Sequence, residues 1–238
     1  MTLATICTNA IKELGSFELP ATFYGNTNLT ARQCVALVQR EGQTLVREHR
    51  WSELINDYTL TTVADQATYD MPSDFLAFSN MSQWDRSFHL PMIGPTSGAN
   101  WQWLKSGIAT AVTINRWWRI KGTSIEVHPT PSASGETLAF DYYSKNWITF
   151  QTPQGSETTG TAFTSDNDTS ILSEDLLTLG LKWRFLQAKG MPFEPEYKEY
   201  EAVKEQIIAD NGGKGIIQLG KQRIVLTNLP DTGFGRAE

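Results

Sequence analysis

The chain has 238 residues, enough for one large domain or two small ones. It is 40% hydrophobic and 11% aromatic, with eight Trp and eleven Phe, so it can bury a substantial core. Its net charge of -6 lacks the basic footprint of a protein that grips nucleic acid by its phosphates, and no run approaches the ~18 apolar residues of a membrane span.

Residues 1–15 contain Lys12 and Glu13 and lack the apolar centre of a signal peptide, so neither secretion by that route nor a membrane anchor is expected. Leu3, Ile6, Ala10, Ile11 and Leu14 recur at helical spacing and predict a helix over 2–14, stopped by Gly15. Residues 16–28 read as a loop around Pro20 and Gly25. Thr30-x-x-Gln33 reads as a capping box opening a second helix that runs to about Arg50. Its apolar side holds Cys34, Leu37, Val38 and Leu45. Its charged residues Arg32, Arg40, Glu41, Arg47 and Glu48 are expected on the outer face, and Gly42 is expected to admit another helix. Cys7 and Cys34 fall on apolar helical stretches and are expected to be reduced core residues, which fits synthesis in a cytosol.

From Trp51 the period changes. The alternating, β-branched stretch 58–63 predicts a strand, 64–67 a turn, and 68–72 a returning strand stopped by Pro72. Residues 73–113 read as irregular, with a short helix from Ala99 to Lys105. Residues 117–120 and 125–128 predict a tight hairpin, and 138–143 the next strand. The Thr/Ser/Gly-rich stretch 151–170 reads as an exposed loop. Ser173 is a good helix N-cap, with Glu174 and Asp175 favourable to the first-turn dipole. The run that follows is apolar on nearly all sides, so this helix is expected to be central, with Trp183 in the core. A last helix starts at Glu194-Pro195, with Tyr197, Tyr200, Val203, Ile207 and Ile208 on its apolar side.

This order predicts an α+β fold: a helical bundle of about four helices, an inserted antiparallel β lobe and an extended C-terminal arm. The expected division is 1–55 with 171–212 for the bundle, 56–170 for the β domain and 213–238 for the arm. The arm carries Ile216, Ile217, Leu219, Ile224, Val225, Leu226, Leu229 and Phe234 between glycines. These are too thinly spread to build a core and too many for a solvated tail. With Lys214, Lys221, Arg223 and Arg236 the arm is locally basic on an acidic body. All twelve residues are predicted to dock on another subunit, with the addition of a strand to its sheet as one way to do so.

The chemical motifs of enzymes are missing. His49, His89 and His128 belong to no zinc pattern, and neither a phosphate-binding glycine loop nor a nucleophile elbow occurs. Asp70 and Asp74 read as turn residues, Asp85-Arg86 as an ion pair or loop staple, and Asp166-Asn-Asp168 as a solvated loop rather than a calcium loop. No catalytic residue, cofactor or metal is expected. Trp84, Trp101, Trp103, Trp117 and Trp118 read as the core of the β lobe. The alternative is a carbohydrate- or nucleic-acid-binding module, with Arg116 and Arg119 beside a stacking platform.

Several strings occur in a suggestive order. They are Gln39-Arg-Glu-Gly42 followed by Trp51, then Val63-Ala-x-Gln66-x-x-Tyr69-x-Met-Pro72-x-Asp74-Phe75, Trp84-Asp85-Arg86 and Pro91-Met-Ile-Gly94-Pro95. Ile120-Lys-Gly122, Pro129-Thr-Pro131, Tyr143-Ser-Lys-Asn-Trp147 and Asp175-Leu-Leu-Thr-Leu-Gly180-Leu-Lys-Trp183-Arg-Phe follow. Together, over about residues 1–212, they resemble the head-to-tail adaptors (tail tubular protein A-like) of tailed bacteriophages. The resemblance implies a non-enzymatic virion protein at the head–tail junction, made in the host cytoplasm. It implies a ring of about twelve copies that binds the portal on one side and the tail nozzle or tube on the other. DNA would pass through the ring without specific binding. Lateral contacts are expected from the charged face of helix 30–50 and from helix 194–210.

Overall fold

The structure, a computed structural model, describes residues 2–15, 17–106, 115–151 and 157–212. The fold is α+β, with five α-helices and three antiparallel sheets among the described residues. Helix α1 (Leu3–Leu14) is capped by the Thr2 side chain, which accepts from the Thr5 N–H. It ends at Gly15, where φ of 63° gives the left-handed stop that glycine adopts without strain. Helix α2 (Leu29–Glu48) begins one residue before the expected capping box. Asn28 is its N-cap, accepting from the Thr30 N–H at 2.8 Å, so the shorter Asx side chain wins over Thr30.

Helix α4 (Glu174–Ala188) is the hub, packed against α1, α2 and α5 (Glu194–Asp210). Ser173 sits at its N-cap position without a side-chain cap bond. Leu176, Leu177, Gly180, Leu181, Trp183, Phe185 and Leu186 are buried, as its all-round apolar pattern predicts. The bundle core joins these to Leu3, Ile6, Cys7, Ile11, Cys34, Val38 and Leu45, and it also takes in Trp147, Ile148 and Phe163. Both cysteines are free and buried. Burial pushes the Cys34 thiol up to about 12 and the Cys7 thiol upward too, so both stay unreactive.

Two sheets enclose a second core. In the first, β1 (Ile55–Thr61) pairs with β8 (Thr137–Ser144), whose other edge takes β3 (Phe75–Phe78) and β4 (Trp84–Asp85), with β5 (Leu90–Pro91) beyond. In the second, β7 (Ser124–His128) lies between β2 (Thr68–Asp70) and β6 (Trp117–Lys121). Leu60, Tyr69, Trp118, Ile125, Val127, Leu138 and Phe140 fill the space between them. The β6–β7 hairpin matches the expectation, turning at Gly122 with φ of 63°.

Three expectations are corrected. The returning strand 68–72 does not pair with β1. Tyr69 instead lies opposite Ile125, and its hydroxyl closes the preceding turn by donating to the Gln66 carbonyl at 2.8 Å. Residues 73–113 hold β3, β4, β5 and α3 (Gly98–Lys105), of which only α3 is expected from sequence. Residues 151–170 are not simply an exposed loop. Strand β9 (Ile148–Gln151) is flanked by β10 (Glu157–Gly160) and β11 (Thr169–Ser170), and Phe163 and Asp168 are buried.

Candidate assembly interface

The groups that a catalytic reading would use are occupied in holding the fold together. Asp74 accepts from the Tyr142 hydroxyl at 2.9 Å and from Ser144 Oγ at 2.7 Å. Burial and then this carboxylate push the Tyr142 phenol up to about 12. Asp70 accepts from Ser124 Oγ, on a different strand. Asp168 is a buried staple, not a solvated loop residue: its carboxylate gathers the N–H and hydroxyl groups of Thr164 and Ser165. Asp166 accepts from the Phe23 and Tyr24 N–H groups at 3.0 and 2.7 Å, pinning loop 17–28. Main-chain carbonyls of Asp166 and Asp168 accept from Ala4 and Leu3, satisfying donors at the free end of α1. Among the described residues no three His, Cys, Asp or Glu side chains could hold a metal ion.

The Trp-rich stretch is mostly interior. Trp101 and Trp118 are fully buried, whereas Trp103 is 57% exposed. The arginines that a stacking platform needs are taken. Arg116 is buried between Asp85, at 2.6 Å, and Glu136. Asp85 therefore pairs with Arg116, not with Arg86, and its other oxygen accepts from the Ser87 and Phe88 N–H groups. Arg119 lies over Trp101, 4.6 Å from the ring centre, and bonds Glu126, which Lys105 also bonds. Burial alone would raise the Glu126 carboxyl, but Lys105 and Arg119 outweigh it and hold it low.

The expected outer face of α2 is one residue short. Arg32, Arg40, Arg47 and Glu48 are outside, but Glu41 has no exposed surface. It receives an ion pair from Arg184 on α4 and a hydrogen bond from the Tyr200 hydroxyl on α5, joining three helices through one carboxylate. The signal was present in the sequence. Cys34, Val38, Glu41 and Leu45 share one stripe at spacings of four, three and four. Gly180 lets α4 approach there, since a Cβ at that position would strike the Glu41 side chain.

Among the described residues, three surfaces stand out as places where a partner could sit. Beside the second core, a groove of about 400 Å³ is lined by Phe78, Met81, Trp84, Met92, Trp118 and Ile120, with Met81 and Ile120 about half exposed. On the bundle, a groove of about 620 Å³ runs between loop 17–28 and α2, with Phe23, Tyr24, Arg32, Val35 and Phe163 in its walls. The third is the outer side of α5, where only Tyr200 is buried. The helix ends in a clip: Asn211 Oδ1 accepts from the Ser52 N–H, and its Nδ2 donates to the Glu53 carboxylate at 2.8 and 2.9 Å. The chain beyond Gly212 therefore starts beside the residues that lead into β1. The predicted docking residues, from Lys214 to Arg236, lie outside the described residues.

The family model for SU10 adaptor protein matches residues 1–219, which take in the whole described body. The chain belongs to the SU10 adaptor protein family. No curated protein gave a match. Membership agrees with the head-to-tail adaptor resemblance and supports a structural role for the chain as a component of a bacteriophage virion. Families of this kind are generally non-enzymatic. No described helix of the adaptor is long and apolar enough to cross a membrane.

Proposed function

We propose that the chain forms a ring, of about twelve copies, between the portal and the tail nozzle or tube, and that the ring extends the channel through which DNA leaves. The observation that carries this is the family match over 219 residues, in a chain whose Asp70, Asp74, Asp85 and Asp168 carboxylates hold internal hydrogen bonds. The acidic body suits a channel in which DNA must slide without sticking. In this reading the charged face of α2 and the outer side of α5 supply lateral contacts, and residues 56–170 form the lobe that the bundle carries. The arm residues Lys214, Ile216, Ile217, Leu219, Lys221, Arg223, Ile224, Val225, Leu226, Leu229, Phe234 and Arg236 hold the chain to another virion subunit.

The test is to mix the purified protein with purified portal and image the product by electron microscopy. A closed ring coaxial with the portal is expected. A chain that stays free of the portal, at concentrations where it is folded, would overturn the proposal.

A further inference from the structure

We infer that residues 221–227 of one copy add as a strand to the free edge of β1 in the next copy. This rests on the adaptor reading and names what receives the arm. Strand β1 is seven residues long and, among the described residues, pairs only with β8. Its second edge offers unpaired N–H and C=O groups, and it carries neither the Pro nor the Lys with which exposed edges are commonly blocked.

The side chains match by period. Tyr58 and Leu60 face the core, while Ile55, Asp57, Thr59 and Thr61 point the other way and are exposed. The arm reads Lys221-Gln-Arg-Ile-Val-Leu-Thr227. With Ile224 and Leu226 turned inward beside Tyr58 and Leu60, the residues Lys221, Arg223, Val225 and Thr227 fall on the outer face. That outer face needs cations. Asp57 lies directly opposite Asp141 on β8, a like-charge pair that opposes the ladder it sits on. The exposed Arg86 acts on Asp141 electrostatically. A strand laid along β1 with Lys221 and Arg223 outward places positive charge against Asp57.

The root of the arm decides between one copy and two. Asn211 is clipped to Ser52 and Glu53, just before β1 begins, so each arm starts at the end of its own sheet. In the parallel direction, which sets Ile224 beside Tyr58 and Arg223 across from Asp57, a strand returning to its own β1 would begin at the root and have no use for the intervening residues 213–220. Extended, they reach at most about 29 Å, a length suited to crossing between neighbours in a ring.

The test uses the full-length chain carrying Thr59→Cys and Val225→Cys, mixed with portal and treated with a short bismaleimide. Its span tolerates a diagonal offset between strands. Cys7 and Cys34 have no exposed surface, and capping free thiols before denaturation keeps them out of the products. A ladder of covalent dimers and larger species is expected, and it should fade when Ile224→Cys replaces Val225→Cys, because that side chain turns inward. Three results overturn the inference: cross-linking within single chains, which means the arm returns to its own edge; a portal-bound ring without cross-links, which means the arm goes elsewhere; and absence of both ring and cross-links. The second leaves the adaptor reading intact, whereas failure of the unmodified chain to join the portal sinks that reading itself.

Discussion

Glu41 sits where water cannot reach it, and it is answered on site by one guanidinium and one phenol. Burial first, and then the Glu41 carboxylate, keep the Tyr200 hydroxyl protonated far above its usual range, so that hydroxyl remains a donor. Removing the carboxylate leaves Arg184 poorly compensated, and breaking such a pair from one side typically costs about 3–5 kcal/mol. Glu41→Ala should therefore lower stability by roughly that amount in urea unfolding. The double change Glu41→Leu with Arg184→Met should cost clearly less than the sum of the single changes. His128 behaves differently. Burial first, and then Lys105, lower its affinity for a proton, with Glu126 opposing them. The folded pKa lies below that of the unfolded chain, so the unfolded state binds the extra proton between the two values. The stability that the neutral imidazole supplies is complete above the unfolded value, near 6.5, and is lost as pH falls through the folded one. Thermal melts between about pH 7.5 and 5.5 should show this loss, and it should shrink in His128→Gln.

Among the elements, α2 packs on the hub helix α4, and a glycine on each makes room for a bulky neighbour. Gly42 admits the indole of Trp147, not another helix: a Cβ there would overlap the ring. Gly42→Ala should thus destabilise the protein despite alanine's better helix propensity, by about 1–3 kcal/mol, as overpacking commonly does. Trp183 packs against Phe193, Tyr197 and Tyr200 with Arg184 over its ring. Trp183→Ala should cost about 3–5 kcal/mol, and a melting shift of about one degree would show that it adds little to the core. The helices and the β6–β7 hairpin were legible because their signals are local: caps, period and a two-residue turn. The pairing of β1 with β8 was not, because Leu60, Tyr58 and Asn56 find Leu138, Phe140 and Tyr142 across some eighty residues, and nothing near β1 announces them. Strand β3 escaped notice because Phe75-Leu-Ala-Phe78 is too short to show a period. Asn211 was legible as a helix stop, but its clip to Ser52 and Glu53 depends on tertiary packing that the local pattern does not contain.

At the scale of the whole molecule, the described residues form two large cores, the last contributor among them being Ile208. Deleting 213–238 should accordingly leave a folded subunit with nearly unchanged circular dichroism and melting. The truncated chain should fail to assemble and to be captured by portal in a pull-down. Undiminished capture would count against any docking role for Lys214 through Arg236. The fold class and the adaptor family were legible in the sequence because they rest on the order of helices and strands and on strings spread over most of the chain.

The Asn211 clip also fixes where tension enters the subunit. If the arm docks as proposed, a pull on it would reach a point shared by the end of α5 and the segment feeding β1. The load would divide between the helix packed on α4 and the seven-rung ladder on β8, so the arm would not simply peel the last helix from its C-terminal end. In the proposed ring, under the pressure of a packed genome, a joint anchored in this way would yield only when two parts of the subunit give way together.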